Sequence, residues 1–307
     1  MISVISSLAK KAKSLGFVSI GISQPKRPMF FEQFGEWITA GRQGEMHWLG
    51  KHLDLRANPG RLLNGCNTLI SLAYPYSSAK HLTSDGLVTA RYTEPLKIDY
   101  HDRLKELASV LSQSILAWYP ESRARICVDS APILERSFAY ASGIGFIGKN
   151  NSLIIPGFGS YVFLAEILTT APLPVSATSP MANQCGSCDL CMNACPTGAL
   201  EAPFLLNASK CLSYLTIEDP GETHTSIGIK MGKCFLGCDV CQEVCPFNDG
   251  KSSEEPSLPS TDEILGMEGK DFTAKFGKTA LNRAGLKKIK DNIKAIKSIS
   301  GRKTQRS

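Results

Sequence analysis

The sequence predicts an α/β (α+β) domain, then a cysteine-rich module, then a short helical basic end, and three observations predict it. Strand-like and helix-like segments alternate from the N-terminus to about residue 175. Nine of the eleven cysteines in the 307-residue chain fall between Cys185 and Cys245, leaving only Cys66 and Cys127 outside. From Lys270 to Ser307 there are 12 Lys/Arg against 2 Asp/Glu, although the whole chain carries only +6, so the rest is mildly acidic. The boundaries read as 1–177, 178–250 and 251–307.

Each element follows from its pattern. Ile2, Ile5, Leu8, Ala12 and Leu15 form one face of an N-terminal helix. Asn67–Tyr74 is a buried strand that ends at Pro75. Apolar residues at 104, 107, 108, 111, 115 and 116 make Asp99–Trp118 helical. Arg125–Asp129 is a short strand running into Ser130-Ala-Pro-Ile, where Ser130 is expected to cap a helix with Pro132 in its first turn. That helix should end near Gly143. Ser152–Ile155 and Tyr161–Leu168 read as a strand pair around the turn Pro156–Gly159. Ala171–Pro180 has the composition of a linker and Gly250–Ser260 that of a loop, with helices over Asp262–Met267 and Thr279–Ile299.

Hydrophobic content of 43% and charged content of 20% are ordinary for a globular protein. No apolar run is long enough to span a bilayer. The N-terminus lacks the apolar core, cleavage site and twin arginines of an export signal. A cytoplasmic protein is therefore expected, in which clustered cysteines bind metal more often than they form disulfides. The basic end suits a polyanionic partner such as RNA, or equally a solubilising tail.

The first cysteine run is Cys185-x2-Cys188-x2-Cys191-x3-Cys195-Pro196; the second is Cys238-x2-Cys241-x3-Cys245-Pro246. This is the bacterial ferredoxin spacing, in which three thiolates wrap one [4Fe–4S] cubane and the fourth reaches to the other. Exchange between the runs gives one cluster Cys185, Cys188, Cys191 and Cys245. The second takes Cys195, Cys238 and Cys241, with Cys211 or Cys234 as its fourth ligand. Structural zinc is the competing reading, but zinc ribbons space their cysteines as separated C-x2-C knuckles. Cys66 and Cys127 read as small buried apolar residues.

Several further motifs resemble one family. They are Ala90-Arg-Tyr92, Asp99-Tyr-His101, Val128-Asp-Ser-Ala-Pro-Ile-Leu-Glu135, Gly143-Ile-Gly-Phe-Ile-Gly-Lys-Asn150, Cys211-Leu-Ser-Tyr-Leu-Thr-Ile-Glu218 and Gly237-Cys-Asp-Val-Cys-Gln242. Over roughly residues 1–250 the chain is similar to the epoxyqueuosine reductases. The resemblance implies an N-terminal cobalamin-binding domain similar to that of reductive dehalogenases, beside a two-cluster ferredoxin domain. It implies reduction of epoxyqueuosine to queuosine at the wobble position of tRNAs with GUN anticodons (Tyr, His, Asn, Asp). Electrons would come from an external donor such as flavodoxin or ferredoxin, and a monomer is expected. Longer family members carry helical HEAT-like repeats for tRNA binding. This chain has room for only two or three helices there, and the basic end is the expected substitute.

The resemblance also assigns residues. Cys211 becomes the fourth ligand of the second cluster. Asp129 takes the proton-donor position, which requires a carboxyl kept protonated by an apolar, desolvated pocket. Its place where a strand ends also suits a ligand-contacting residue. Asp99 borders the active site or caps its helix. His101 sits in a partial Asp-x-His motif, but Leu104 stands where a glycine is needed, so base-off cobalamin with no histidine ligand is expected. Arg56, Tyr92, Asp129, Lys149, Asn150, Tyr161 and Ser213 are the cofactor contacts, and Arg91, Tyr92 and Tyr140 are possible stacking partners for bases. The glycines before Lys149 are expected to let the backbone approach the corrin. The letters Gly143-x-Gly-x2-Gly148 do not make a nucleotide loop, because the segment follows a helix and leads into a strand. Two other readings remain: an exported dehalogenase, whose signals are missing, and an electron-transfer subunit without its own catalytic site.

Overall fold

The computed structural model describes residues 4–175, 179–248 and 253–303, the last four of these without side-chain detail. The chain divides into two compact units. The first comprises residues 1–41, 47–75 and 100–187, and the second residues 42–46, 76–99 and 188–307.

The first unit is built on a four-stranded sheet in the order Ser19–Ser23, Thr68–Pro75, Val162–Thr169, Ala124–Cys127, with every pairing antiparallel. The expected alternation is present, but the antiparallel ladder makes the unit α+β. The rule placing ligands at the carboxyl ends of parallel strands therefore does not apply here. Leu69, Ile70, Leu72 and Ala73 are all fully buried, because helices cover both faces of the sheet. The helix Tyr100–Trp118 lies against the strand Val162–Thr169 and buries Leu104, Ala108, Leu111 and Ile115. On the other face, Phe138 and Ala139 of the helix Glu135–Ala141 pack against Leu69 and Ala73. The N-terminal helix Val4–Ser14 buries Leu8 and Ala12, as its spacing predicts.

Two local expectations are corrected. The helix after the strand Ala124–Cys127 starts at Glu135, not at Ser130, and the Ser130 hydroxyl donates to the Val128 carbonyl at 3.3 Å instead of capping. Residues 152–155 and 161–168 do not form a hairpin. Leu153–Ile154 pairs with Phe146–Ile147, and the longer strand joins the main sheet, leaving a single Ile155–Gly159 bridge. The pairing of Phe146–Ile147 explains the glycines before it. A Cβ on Gly145 would lie 2.3 Å from the Ile154 carbonyl oxygen, so strand packing demands glycine there without any ligand.

The second unit has a mixed sheet in the order Cys234–Leu236, Val88–Thr89, Ala79–Thr83, Ser253–Leu258. The outer strands run parallel to their neighbours and the inner pair is antiparallel. The last strand lies within the stretch expected to be a loop. Its core gathers Phe235, Leu236, Met231, Phe272, Phe276, Ile289 and Ile293. The helix Thr261–Gly266 begins with a capping box: Glu263 N–H donates to Ser260 Oγ (3.1 Å), and Ser260 N–H donates to Glu263 Oε2 (2.7 Å). The basic end is an ordered helix, Gly285–Lys303, that turns Ile289, Ile293 and Ile296 inward. Lys288 and Lys290 are spent within the unit, donating to the Gly221 and Met267 carbonyls at 2.8 and 2.7 Å. Residues 304–307 of the expected tail lie outside the described residues.

Candidate functional site

In the second unit, Cys195, Cys211, Cys238 and Cys241 are electrostatic neighbours, and Cys191 reaches Cys241 as well. Burial pushes the Cys238 thiol up to about 12 and raises Cys211 and Cys241. Burial alone would keep these thiols neutral, so what fits the set to a metal cluster is the gathering of four cysteines in one place, where a bound cationic centre would ionise them. At Cys195 burial acts the same way, but backbone N–H groups of Leu200, Thr197 and Ala199 outweigh it and hold the thiol low. The Ala199 N–H reaches its sulfur at 3.2 Å. Cys234 is different. Its thiol donates to the Leu236 and Gly237 carbonyls at 3.5 Å, which occupies its proton in structural bonds. Cys234 also neighbours Cys238, but its thiol is the one engaged with backbone carbonyls, whereas Cys211 neighbours Cys195, Cys238 and Cys241. For the other set, the backbone N–H of Cys185 donates to Asn183 Oδ1 (2.9 Å), and Asn183 is itself tied to the Ile147 carbonyl (2.6 Å).

The helix carrying Cys241 is anchored by Arg91, a residue expected among the stacking partners for bases. Arg91 is 1% exposed, so its guanidinium is a structural group. It donates to Asp239 Oδ2 (3.2 Å), the Ser78 carbonyl (2.7 Å) and Glu243, while its own N–H reaches Asp239 at 2.8 Å. Lys80 adds an ion pair to Glu243 at 2.6 Å. Tyr92 is half-buried against Gly237, where an added Cβ would come within 3.3 Å of its ring. Ser213 lies in the helix Leu212–Ile217 that follows Cys211, and the Asp99 N–H donates to the Lys278 carbonyl at 2.8 Å.

In the first unit, Asp129 stands just beyond the edge strand with a left-handed backbone (φ 54°). Its Oδ2 accepts hydrogen bonds from the Tyr100 hydroxyl (2.9 Å) and from His101 Nε2 (3.0 Å) in the tautomer protonated there. Tyr100 stacks on Phe163 with centroids 4.2 Å apart and on His101 at 4.1 Å, which fixes both donors. The Asp129 side chain is 58% exposed. Within its unit the carboxyl meets polar donors and solvent, so the expected apolar, desolvated pocket is not supplied by these neighbouring residues alone. Its backbone N–H donates to Glu135 Oε1 at 2.6 Å. Burial, and then Asp129, push Glu135 up to about 8; burial, and then Glu135, raise the fully buried Glu166 well above the usual carboxyl range.

Of the other expected contacts, Arg56 on the helix Leu53–Ala57 is 8% exposed and lies over the Phe34 ring at 5.6 Å. Its Nε has no protein partner, and burial lowers its pKa. A buried, unsatisfied guanidinium donor fits an amide or phosphate oxygen of a large polar cofactor. Tyr161 and Asn150 are 2% and 7% exposed. Asn150 Oδ1 accepts the Ser152 N–H at 3.1 Å, a turn contact, and Lys149 beside it is half-buried. Tyr140 packs on Phe30 with centroids 5.1 Å apart. Glu166 escaped sequence reasoning, although a single acid inside the apolar run Val162–Thr169 was a visible signal.

A thiolate set for two clusters together with a hydrogen-bonded acid defines the class, a cluster-fed oxidoreductase. Comparison with known proteins names the kind. Residues 184–248 match the 4Fe-4S double cluster binding domain, and residues 56–130 match Epoxyqueuosine reductase QueG, DUF1730. The chain is 33% identical over 299 residues to the epoxyqueuosine reductase of Leadbetterella byssophila, covering 94% of this chain and 96% of that one. It resembles a crystal structure of epoxyqueuosine reductase with a tRNA-Tyr epoxyqueuosine-modified stem loop (30% identity, TM-score 0.82, 96% of this chain and 81% of the other). A Bacillus subtilis epoxyqueuosine reductase whose aspartate-bearing catalytic loop is swung out of the active site matches at 29% identity and TM-score 0.81, over 96% of this chain and 82% of that one. The chain belongs to the epoxyqueuosine reductase family.

Proposed function

We propose that this protein reduces epoxyqueuosine to queuosine at the wobble position of tRNA, with two [4Fe–4S] clusters and base-off cobalamin as its cofactors. The observation that carries the reading is the combination, in one chain, of the double-cluster cysteine set with Asp129 held by Tyr100 and His101. The structural relative with a modified stem loop supports the substrate.

The reaction removes the epoxide oxygen as water and leaves a carbon–carbon double bond, consuming two electrons and two protons. When bound, the clusters and cobalamin supply the low-potential electrons and a carbon-directed reductant. The chain supplies the rest. Cys195, Cys211, Cys238 and Cys241 hold one cluster, and Cys185, Cys188, Cys191 and Cys245 hold the other. Asp129 delivers a proton to the departing oxygen, oriented by Tyr100 and His101. Substrate covering the exposed carboxyl removes water and raises its proton affinity. Arg56 binds the cofactor periphery, with Tyr92, Lys149, Asn150, Tyr161 and Ser213 as further contacts and Asp99 at the site's edge.

The finer reading is a cytoplasmic monomer acting on tRNAs with GUN anticodons and fed by flavodoxin or ferredoxin. Among the described residues no helix is long and apolar enough to cross a membrane. The test is anaerobic incubation of reconstituted protein with epoxyqueuosine-containing tRNA and a reductant, followed by nucleoside analysis. Queuosine is the expected product; its absence with both cofactors loaded sinks the assignment.

A further inference from the structure

Glu135 and Glu166 have no place in the mechanism above, yet they lie beneath the residue that does. Strand pairing ends at Cys127 opposite Glu166, so the N–H of Asp129 has no ladder partner and turns instead to Glu135 Oε1 at 2.6 Å. Asp129 holds a φ of 54°, a conformation that L residues other than glycine adopt sparingly, so this bond fixes a backbone that would otherwise relax. Glu166 is 0% exposed and stands between Ser71 and Cys127 in register, on the sheet face covered by the helix that carries Glu135. The Ser71 hydroxyl beside it is the group that favours its charge, but as a carboxylate it has no donor in full hydrogen-bond geometry. A single proton between Glu166 and Glu135 supplies that bond and leaves Glu135 free to accept from Asp129.

Charge accounting agrees. The groups facing Glu135 are Asp129 beyond the edge strand, Cys127 within it, Arg136 on its own helix, Arg56 on the helix Leu53–Ala57, and Glu166 on the central strand. Cys127 stays a neutral thiol, pushed up to about 12 by burial. Three acids then oppose Arg56 and the exposed Arg136, with His101 paired to Asp129 and Arg125 beside Cys127. One retained proton relieves the crowding of negative charge between Glu135 and Glu166.

We propose that Glu135 is a positioning residue for Asp129, and that Glu166 controls it by sharing one proton with it. Loss of that proton sets the buried Glu166 carboxylate against the half-buried Glu135 carboxylate and frees the Asp129 loop. The link to catalysis rests on the function proposed above, but the latch can be read without substrate.

The experiment is hydrogen exchange of the segment containing the Asp129 amide in holoprotein, between about pH 6 and about pH 9, corrected for intrinsic exchange. In the wild type, protection is expected to fall on the alkaline side. Glu166→Gln, whose amide mimics the shared proton, should hold protection across the range. Glu135→Ala should lose roughly tenfold or more of it at every pH, as loss of a bond to a charged group implies. Glu135→Gln, which keeps an acceptor, should restore it. Retained visible cluster absorbance and an unchanged melting profile separate a lost latch from a lost fold. Wild-type protection in Glu135→Ala, or the same pH dependence in Glu166→Gln as in wild type, overturns the proposal. If Glu135→Ala does not fold, the Glu166→Gln comparison still decides.

Discussion

Asp129 is held from two sides, its carboxylate by Tyr100 and His101 and its backbone by Glu135. Asp129→Asn keeps the size and the hydrogen-bonding shape but removes the acid. Turnover of epoxyqueuosine-tRNA is expected to fall by about a hundredfold or more, with cluster and cobalamin content unchanged. A wild-type single-turnover rate would remove Asp129 from the acid role. Tyr100→Phe deletes one donor and should cost roughly tenfold in rate with little effect on tRNA affinity, read as a split between kcat and KM. Asp129 was legible in the sequence because it closes a strand inside a recognisable motif. Its surroundings were not, because the Tyr100, His101 and Glu135 contacts arise from three segments brought together by the fold. Glu166 shows the limit more sharply: its neighbours in the sequence are apolar, and only strand register places it beside Ser71 and Cys127.

At the scale of elements, local periodicity found the helices Val4–Ser14 and Tyr100–Trp118 and the strand Thr68–Pro75, whose buried faces are written in consecutive residues. It failed where partners are distant. The strand Ser253–Leu258 is polar and exposed for most of its length and exists because Ala79–Thr83 offers an edge. The helix Glu135–Ala141 starts late because Ser130 bonds back to Val128 rather than forward into a cap. The cluster-bearing helix Val240–Glu243 depends on Arg91. Arg91→Ala leaves Asp239, 4% exposed, without its counter-ion, and should cost about 3–5 kcal/mol in a denaturation midpoint measured on the loaded protein. Close helix packing gives another test. A Cβ on Gly228 would lie 2.4 Å from the Ala295 carbonyl oxygen, so Gly228→Val should pry the helix Thr225–Met231 from the helix Gly285–Lys303 and lower the melting temperature. The acid pair makes stability depend on pH. Folded-state values raised above the ordinary 4.5 contribute stability on the acid side and lose it as pH rises toward about 8. Chemical denaturation across that window should show the decline, and Glu166→Gln should flatten it.

At the scale of the whole molecule, the sequence already carried the two clusters, because ferredoxin spacing is a local code that needs no tertiary information, whereas cobalamin entered only through the family resemblance. Spacing left the fourth ligand of the second cluster open between Cys211 and Cys234 and the family resemblance chose Cys211; the carbonyl contacts of the Cys234 thiol and the closeness of Cys211 to Cys195 are consistent with that choice. The basic end changed most in meaning: it is a packed helix with several lysines engaged inside its own unit, so fewer of its charges face outward than composition implies. The most direct test is one anaerobic single-turnover assay on protein reconstituted with iron, sulfide and cobalamin, read by metal analysis and by the nucleosides of the tRNA. The account predicts about eight iron atoms and one cobalt per chain, with epoxyqueuosine converted to queuosine. Full loading of both cofactors with the epoxide intact would contradict it.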